Sequence, residues 1–397
     1  MLLAFGLALL LAVLTSALAS RSPLSSTAVF LAVGIVAGPL VLDEISVTAR
    51  TAEIAAEVAL FAILFTDGQH APWSVLRRHW KNPARTLVLG MPLTLVLVAA
   101  LGHWVAGLSW PAALVLGAVL SPTDPVFASA LVGRDDVPAR VRHLLNIESG
   151  LNDGLALPAV LVLVGVAGGS PEGWSTEPLT LILELLLGLF IGVVTPLVVE
   201  GVLQIPAVES VSSLRPLGPI AIAVLLYGVC DVLHANQFLA AFAAGATIAT
   251  LRPEVSESFR HTGELVSELA KGGALLAFAA LLQVGLFREA GWSALVVAIL
   301  VVAVTRPLPI IAVLAGTSME RREKLAVAWF GPKGFASVAY AVIVLSSGIT
   351  DADHVFTVVA VTVLVSVLAH SSTDVIIAKW LNGDSPPTSH TPTSDSP

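Results

Sequence analysis

Ionisable side chains interrupt the most apolar parts of this sequence in two places. Residues 121–125 read SPTDP and residues 148–154 read ESGLNDG, and both stretches lie within runs of Leu, Val, Ala and Gly. They place three carboxylates, those of Asp124, Glu148 and Asp153, inside long apolar segments. A charged side chain at a lipid-facing helix centre costs at least about 2.5 kcal/mol, so these groups should face one another or a water-filled cavity.

The residues around these carboxylates supply hard oxygen ligands. On a helix, Ser149 and Asp153 are i,i+4 neighbours, as are Glu148 and Asn152, which gives two adjacent polar stripes on one side. Thr123 adds a hydroxyl beside a helix-breaking proline. Hydroxyl, amide and carboxylate oxygens suit a small alkali cation and do not suit a soft metal. The predicted cation site consists of Asp153, Thr123, Asp124, Ser149 and Asn152.

The composition indicates that these segments lie in a membrane. Of 397 residues, 56% are hydrophobic and 12% are charged, whereas about a quarter of a soluble domain is charged. Apolar runs of roughly 18 residues or more recur to near residue 380, which leaves no room for a soluble domain of about 100 residues. The net charge of −8 does not indicate nucleic-acid binding. We predict an all-α polytopic protein that contacts the lipid bilayer over residues 1–380.

About thirteen membrane spans are predicted. They cover residues 2–19, 26–42, 49–66, 84–106, 110–133, 142–167, 178–204, 215–233, 237–251, 264–287, 291–316, 323–349 and 354–378. With the N-terminus outside, the inner loops hold fifteen Lys and Arg residues and the outer loops two, which follows the positive-inside rule and places the C-terminus in the cytoplasm. Residues 383–397, rich in Pro, Ser and Thr, should form a disordered cytoplasmic tail.

Thirteen spans divide into six, a connector and six, so the second half is inverted relative to the first. This 6+1+6 inverted repeat is common in secondary transporters, whose ion sites lie near the midplane at interrupted helices. The fifth helix of each half has a central proline, within LSPTDPVF and within WFGPKGFAS at residues 329–337. Because a proline frees backbone carbonyls, two broken helices at equivalent positions predict the binding site.

Five ionisable groups are predicted to converge on one layer. With a helical rise of about 1.5 Å per residue, four of them lie roughly 14–16 Å from the cytoplasmic ends of their segments: Asp124, Asp153, Lys333 and Arg306. Glu148 lies at roughly 9 Å, and its charge is opposite to that of Arg306, which predicts a buried structural ion pair. Lys333 is interpreted as compensating the charges of the broken helices.

Other polar residues are assigned to helix ends. Asp67, within LFTDGQHAP, is predicted to be interfacial at the inner end of its helix. Lys271 lies near one end of its span, from where its side chain could snorkel to the interface. Histidines such as His70 and His143 fall mainly at loops or helix ends.

These motifs resemble those of a known transporter family. GAVLSPTDPVFASALV is similar to the Thr-Asp-Pro helix, and NIESGLNDGLALP to the Glu-Ser-x-x-Asn-Asp helix, of cation/proton antiporter family 1. This family includes prokaryotic NhaP-type sodium/proton antiporters and eukaryotic sodium/hydrogen exchangers. TRPLPI around Arg306 and WFGPKGFASVAYA resemble the eleventh and twelfth helices of the family, which usually has Arg where this chain has Lys333. The resemblance covers essentially residues 1–380.

The resemblance implies a homodimer with an NhaA/NhaP-like fold. Each protomer would have a dimerisation part, approximately residues 1–66 and 178–287, and a core part, approximately residues 84–167 and 291–380. In the family the core part moves relative to the dimerisation part.

The resemblance also implies roles for individual residues. Asp153 matches the carrier of the proton or cation, and the positions of the other predicted ligands surround it. Glu148 and Arg306 match a buried ion pair of the family. The Asn152–Asp153 pair implies electroneutral exchange, and Lys333 in place of Arg leaves the stoichiometry open.

The predicted function is exchange of Na⁺, or Li⁺, for H⁺ by competition at Asp153. We expect electroneutral 1:1 exchange with elevator-type alternating access in a prokaryotic inner membrane. A K⁺/H⁺ antiporter of the same fold is the alternative, followed by a cation channel. The sequence contains no G-x-x-x-x-G-K-[ST] loop of a primary pump and no H-E-x-x-H motif of a hydrolase. We therefore expect neither enzymatic activity nor a cofactor.

Overall fold

The computed structural model describes most of the chain as helices. It describes residues 2–19, 26–39, 41–42, 47–74, 77, 80–124, 138–169, 177–203 and 217–382. Their helices, in chain order, are α1 (Leu2–Ala19), α2 (Ser26–Ala37), α3 (Ala49–His70), α4 (Lys81–Trp104), α5 (Trp110–Leu120), α6 (Ala139–Val166), α7 (Pro178–Leu203), α8 (Gly218–Leu233), α9 (Gln237–Leu251), α10 (Pro253–Ala280), α11 (Val284–Val313), α12 (Arg321–Trp329), α13 (Phe335–Ser346) and α14 (Ala352–Asn382). Over the same residues no strand is present. The predicted tail, residues 383–397, lies outside the described part.

Apolar composition explains why these segments are helical in a membrane, where the backbone must satisfy its own hydrogen bonds. Five of the described helices are long and apolar enough to cross a membrane, by length and composition: Lys81–Trp104, Arg140–Val166, Leu179–Val202, Val284–Val313 and Ala352–Thr373. Large apolar side chains such as Leu186 and Phe190 on α7 are exposed on the protein surface. Their exposure fits a surface in contact with lipid.

Each predicted span overlaps at least one helix, but several bounds differ from the structure. Helix α10 begins at Pro253 and not at residue 264, because its first turns are amphipathic and therefore lie outside any purely apolar run. The predicted span 323–349 is two helices, α12 and α13, separated by residues 330–334.

Residues 330–334 are non-helical and buried, and they separate α12 from α13. We call this segment the interruption. The segment contains Gly331, Pro332 and Gly334, which are poor helix formers. In the first half, α5 ends at Leu120 and residues 121–124 continue without helical structure. The predicted continuation beyond Asp124, including Pro125, lies outside the described residues.

Close helix packing involves α3, which contacts α9, α10 and α13. A Cβ on Gly68 of α3 would lie only 2.2 Å from the carbonyl oxygen of Phe242 on α9, and a Cβ on Gly245 would lie equally close to Phe65. Glycines at such contacts let membrane helices approach backbone to backbone. The C-terminal part of α3 around Gly68 is therefore packed tightly against α9.

Candidate functional site

Two non-helical segments cross and bond to each other at Asp124. The Asp124 N–H donates to the carbonyl oxygen of Pro332 at 3.0 Å. In return, the N–H of Phe335, the first residue of α13, donates to Asp124 Oδ2 at 2.8 Å. The carboxylate thus accepts from a helix N-terminus, where a negative charge is favoured. A Cβ on Gly334 would lie 2.3 Å from that carboxylate, so the crossing needs glycine there.

Lys333 supplies the opposite charge at the same crossing. Its side chain is 1% exposed, and its Nζ donates to the carbonyl oxygens of Pro122 at 3.2 Å and Ser121 at 3.5 Å. These carbonyls follow the end of α5, which is the negative end of that helix dipole. Ser337 Oγ also donates to the carbonyl of Val119, at 2.9 Å. The ammonium group therefore compensates carbonyls that have lost their helical partners.

Helix α6 brings Asn152 and Asp153 to the crossing. Asn152 Nδ2 donates to Thr123 Oγ1 at 2.9 Å. Asp153 is 3% exposed, and Tyr340 of α13 donates through its hydroxyl to the Asp153 carbonyl oxygen. Neither Asp153 Oδ1 nor Asn152 Oδ1 has a hydrogen-bond partner among the described residues. Two buried oxygens therefore remain available to a cation or a proton.

Glu148 and Arg306 form a buried ion pair beside the crossing, with Glu148 one turn of α6 before Asn152. Arg306 Nη1 donates to Glu148 Oε1 at 2.8 Å, and both side chains are almost fully buried. Arg306 Nη2 also donates to the carbonyl oxygen of Phe330, at 3.2 Å. The pair joins α6, α11 and the start of the interruption. A buried pair of this kind is costly to break on one side only.

The structure corrects two predictions about neighbouring polar residues. Asp67 is not interfacial: its Oδ2 is buried, and the carboxyl group interacts electrostatically with Asp124, Asp153 and Lys271. Lys271 does not snorkel, since it is 1% exposed in the interior of α10. Asp67 was misplaced because α3 continues to His70, beyond the predicted end of its span.

The glycine after Asp67 is the signal that could have located it. Gly68 packs against α9, as described above, so this turn of α3 is buried. A Cβ on Gly150 would lie 3.5 Å from the Asp67 Cβ, which places Asp67 against α6, one turn of helix from Asp153. Tyr340 was also missed, because a tyrosine in an apolar run has no distinctive spacing.

The predicted site residues fall into three groups in the structure. It brings together Thr123, Asp124, Asn152, Asp153 and Lys333, and it places Glu148 with Arg306 beside them. The backbone of Ser149 lies in α6, one turn before Asp153, but its side chain lies outside the described residues. Among the described residues no cluster of three or more His, Cys, Asp or Glu side chains is suited to holding a metal ion.

The charges of this layer do not balance. Three carboxylates, those of Asp67, Asp124 and Asp153, face two ammonium groups, those of Lys271 and Lys333. The Glu148–Arg306 pair is neutral as a whole. With every group ionised, the layer therefore holds one excess negative charge. One monovalent cation or one proton neutralises it, which a low-dielectric interior strongly favours.

A helix interrupted at residues 330–334, which crosses a second non-helical segment beside buried carboxylates, defines a class of helical membrane transporter. Comparison with known proteins gives the family: residues 7–380 match the family model described as "Sodium/hydrogen exchanger, transmembrane". The chain belongs to this family, as the Thr-Asp-Pro and Asn-Asp motifs predicted. Its members are antiporters, so the protein is a secondary transporter and not an enzyme.

Individual relatives support the same membership. The chain is 26% identical over 391 residues to the K(+)/H(+) antiporter NhaP of Alkalimonas amylolytica, covering 97% of this chain and 67% of that protein. It is 24% identical over 386 residues to the K(+)/H(+) antiporter NhaP2 of Shewanella sp. (strain MR-4), covering 94% and 66%. The chain thus spans about two thirds of the length of these curated relatives.

A solved structure shares the fold. The sodium proton antiporter MjNhaP1 from Methanocaldococcus jannaschii superposes with a TM-score of 0.78 at 22% sequence identity. The match covers 96% of this chain and 98% of that structure. The predicted polytopic α-helical antiporter fold is confirmed at this level.

Proposed function

We propose that this protein exchanges a monovalent cation, Na⁺ or Li⁺, for H⁺ at Asp153. The observation that supports the proposal is the buried Asp153 oxygen without a hydrogen-bond partner among the described residues; with all groups ionised, the layer around it carries one excess negative charge. Since one Na⁺ or one proton restores neutrality, the two ions compete for the same state. The stoichiometry is then 1:1, and the exchange moves no net charge across the membrane.

Competition at one site produces coupling without an energy-consuming reaction. The charged groups on the core part, Asp124, Asp153 and Lys333, sum to one excess negative charge, which is costly to move through a low-dielectric interior. Only the cation-bound and protonated forms therefore switch between facing one side of the membrane and facing the other. Since the empty form cannot switch, net transport of the cation in one direction requires that protons be carried in the other.

The oxygen donors around Asp153 fit a small, partly dehydrated alkali cation. Asp153 Oδ1 and Asn152 Oδ1 are buried without a hydrogen-bond partner among the described residues. The carboxylate of Asp124, and the hydroxyls of Thr123 and Ser149, are the further ligands that we propose. Such hard ligands select alkali cations over soft transition metals.

The remaining charges hold this site in place. We assign the Glu148–Arg306 pair a structural role, because it ties two helices to the interruption by way of Phe330. Lys333 compensates the carbonyls at the end of α5 and also the neighbouring carboxylates. Neither function requires these groups to bind the transported ion.

The proposed movement takes place between two parts of each protomer. The dimerisation part comprises approximately residues 1–66 and 178–287, and the core part approximately 84–167 and 291–380. The core part carries the crossing and slides as an elevator against α3. We further propose a homodimer in a prokaryotic plasma membrane, with the N-terminus outside and the C-terminus in the cytoplasm.

Potassium is the second candidate ion. The curated relatives described above are named K⁺/H⁺ antiporters, and K⁺ uses the same oxygen ligands. Exchange rates in proteoliposomes, measured with Na⁺, Li⁺ and K⁺ in turn, would distinguish the candidates. A channel would instead give currents that do not depend on a pH gradient.

The test of the proposed site is Asp153→Asn in purified protein reconstituted into proteoliposomes. The amide keeps the shape of the side chain but cannot exchange a proton, so cation-driven proton movement should be lost. Asp231→Asn is the matched control, because Asp231 is an exposed carboxylate on α8. Exchange at the wild-type rate in the Asp153 variant would refute the assignment.

A further inference from the structure

A buried histidine outside the proposed ion site contacts the backbone next to the interruption. His370 of α14 is 1% exposed. Its Nε2 lies 3.0 Å from the carbonyl oxygen of Trp329, the last residue of α12. Its Nδ1 lies 2.8 Å from the carbonyl oxygen of Ser366 and 3.2 Å from Ser366 Oγ. Unlike the histidines predicted at loops and helix ends, His370 lies within a helix and is buried.

The same two residues of α14 reach both ends of the interruption. Ser366 Oγ accepts a hydrogen bond from the Lys333 N–H at 2.8 Å. His370 holds the carbonyl of Trp329, which precedes the interruption. Between these two points lies Pro332, whose carbonyl accepts from the Asp124 N–H. The position of Asp124 is therefore linked to α14 through the interruption.

The hydrogen-bonding demands on His370 change with its protonation state. Both ring nitrogens face carbonyl oxygens, which can only accept. A neutral imidazole has one N–H, so it donates to one carbonyl and turns a lone pair towards the other. In the neutral tautomer that keeps its proton on Nε2, Nδ1 can only accept, and the Ser366 hydroxyl is placed to donate to it. The imidazolium form donates to both carbonyls at once.

The charged groups that face the ring come from two elements. Arg306 approaches from α11 and Lys333 from the interruption, and Glu148 is the ion-pair partner of Arg306. The indole of Trp329 packs on the imidazole, with ring centroids 5.4 Å apart. Trp329 is also held through its Nε1, which donates to Thr373 Oγ1 at 3.0 Å.

We propose that His370 is a positioning residue whose protonation fixes the interruption, and with it the Asp124 side of the cation site. This inference rests on the proposed antiport. Protonated His370 holds Trp329 and Ser366 together, whereas neutral His370 releases one of the two carbonyls. The apparent cation affinity at low pH is therefore higher than it would be without this histidine.

His370→Gln tests the proposal, because a glutamine has one donor end and so resembles neutral histidine. We would measure the KM for Na⁺, or for K⁺ if only K⁺ supports exchange, by pyranine fluorescence in proteoliposomes. The ratio of variant KM to wild-type KM should be near one at about pH 8 and rise towards roughly fivefold at about pH 5, the factor expected for one hydrogen bond. The maximal rate should change little.

Thr373→Val is the control, since it removes the other contact of Trp329 with α14 and no titrating group. Its KM ratio should not vary with pH. A pH-independent ratio for His370→Gln would overturn the proposal. Wild-type protein without cation-driven proton flux would instead remove the proposed antiport itself, so the two failures are distinguishable.

Ser366→Ala provides an independent test if the glutamine variant does not fold. The substitution removes the hydroxyl that faces neutral Nδ1, and it therefore disfavours neutral His370. The variant retains protonated His370 to higher pH, so its KM ratio to wild type should be lower at about pH 6 than at about pH 9, on top of a pH-independent effect of losing the Ser366–Lys333 bond. A constant ratio over this range would contradict the proposal.

Discussion

At the scale of residues, the side chain of Lys333 interacts both with backbone carbonyls and with buried carboxylates. Its ammonium donates to carbonyls at the end of α5 and also offsets the neighbouring carboxylates. The family motif that this segment resembles has arginine at this position. The guanidinium keeps the charge but is larger and planar, so the two residues should not be equivalent here.

The first prediction concerns this position. Lys333→Met should lower the exchange rate by about tenfold or more, because it removes a charge-assisted hydrogen bond and leaves a second excess negative charge. Lys333→Arg is the matched control and should retain more of the activity. Initial exchange rates of both variants, with melting temperatures in detergent, make the comparison. Equal activity of the methionine and arginine variants would show that the charge is unimportant.

The site was only partly predictable at this scale. Asp124 and Asp153 were recognisable because a carboxylate in an apolar run is costly and therefore conspicuous. Asp67 was not, because it follows the apolar run of α3 and resembles a residue at a helix end. Its burial depends on the contact of Gly68 with α9, which is a tertiary feature. His370 depends likewise on carbonyls from two distant segments.

At the scale of elements, the interruption is the feature that positions the site. It was predictable because Gly331, Pro332 and Gly334 cannot easily continue a helix. Its partner in the first half was predictable from the proline of SPTDP, although that proline lies outside the described residues. The hydrogen bonds between the two segments were not predictable, since they depend on how the segments cross.

The second prediction tests the crossing. Gly334→Ala should abolish most exchange, because its Cβ would lie 2.3 Å from the Asp124 carboxylate and would displace it. Gly285→Ala is the control: no atom lies within 4 Å of the Cβ position at Gly285. Both variants would be assayed for exchange after reconstitution. Normal exchange with Ala at position 334 would mean that the observed contact is not needed for transport.

At the scale of the whole molecule, α3 is the boundary between the two proposed parts. Near its N-terminal end, Glu53 is 1% exposed and accepts from Arg50 at 3.3 Å. It also accepts from Ser346 Oγ, at the end of α13, at 3.2 Å. Because α13 belongs to the proposed core part, sliding of that part should separate Glu53 from Ser346.

The third prediction follows from this separation. In a background without Cys230, the paired substitutions Glu53→Cys and Ser346→Cys, joined by a short crosslinker with two thiol-reactive groups, should stop exchange. Cleavage of a reducible crosslinker should restore it. The two single-cysteine variants, treated in the same way, control for modification alone. Full exchange by the crosslinked protein would rule out a movement between α3 and α13.

The central claim is that one cation or one proton neutralises a single excess charge at Asp153. The most direct test is the KM for the cation, measured as a function of pH in proteoliposomes at a clamped membrane potential. Competition at one site predicts that KM rises about tenfold for each pH unit of acidification on the acidic side, with a constant maximal rate. It also predicts that changing the clamped potential has no effect. A KM that does not change with pH, or a maximal rate that follows the membrane potential, would contradict the account.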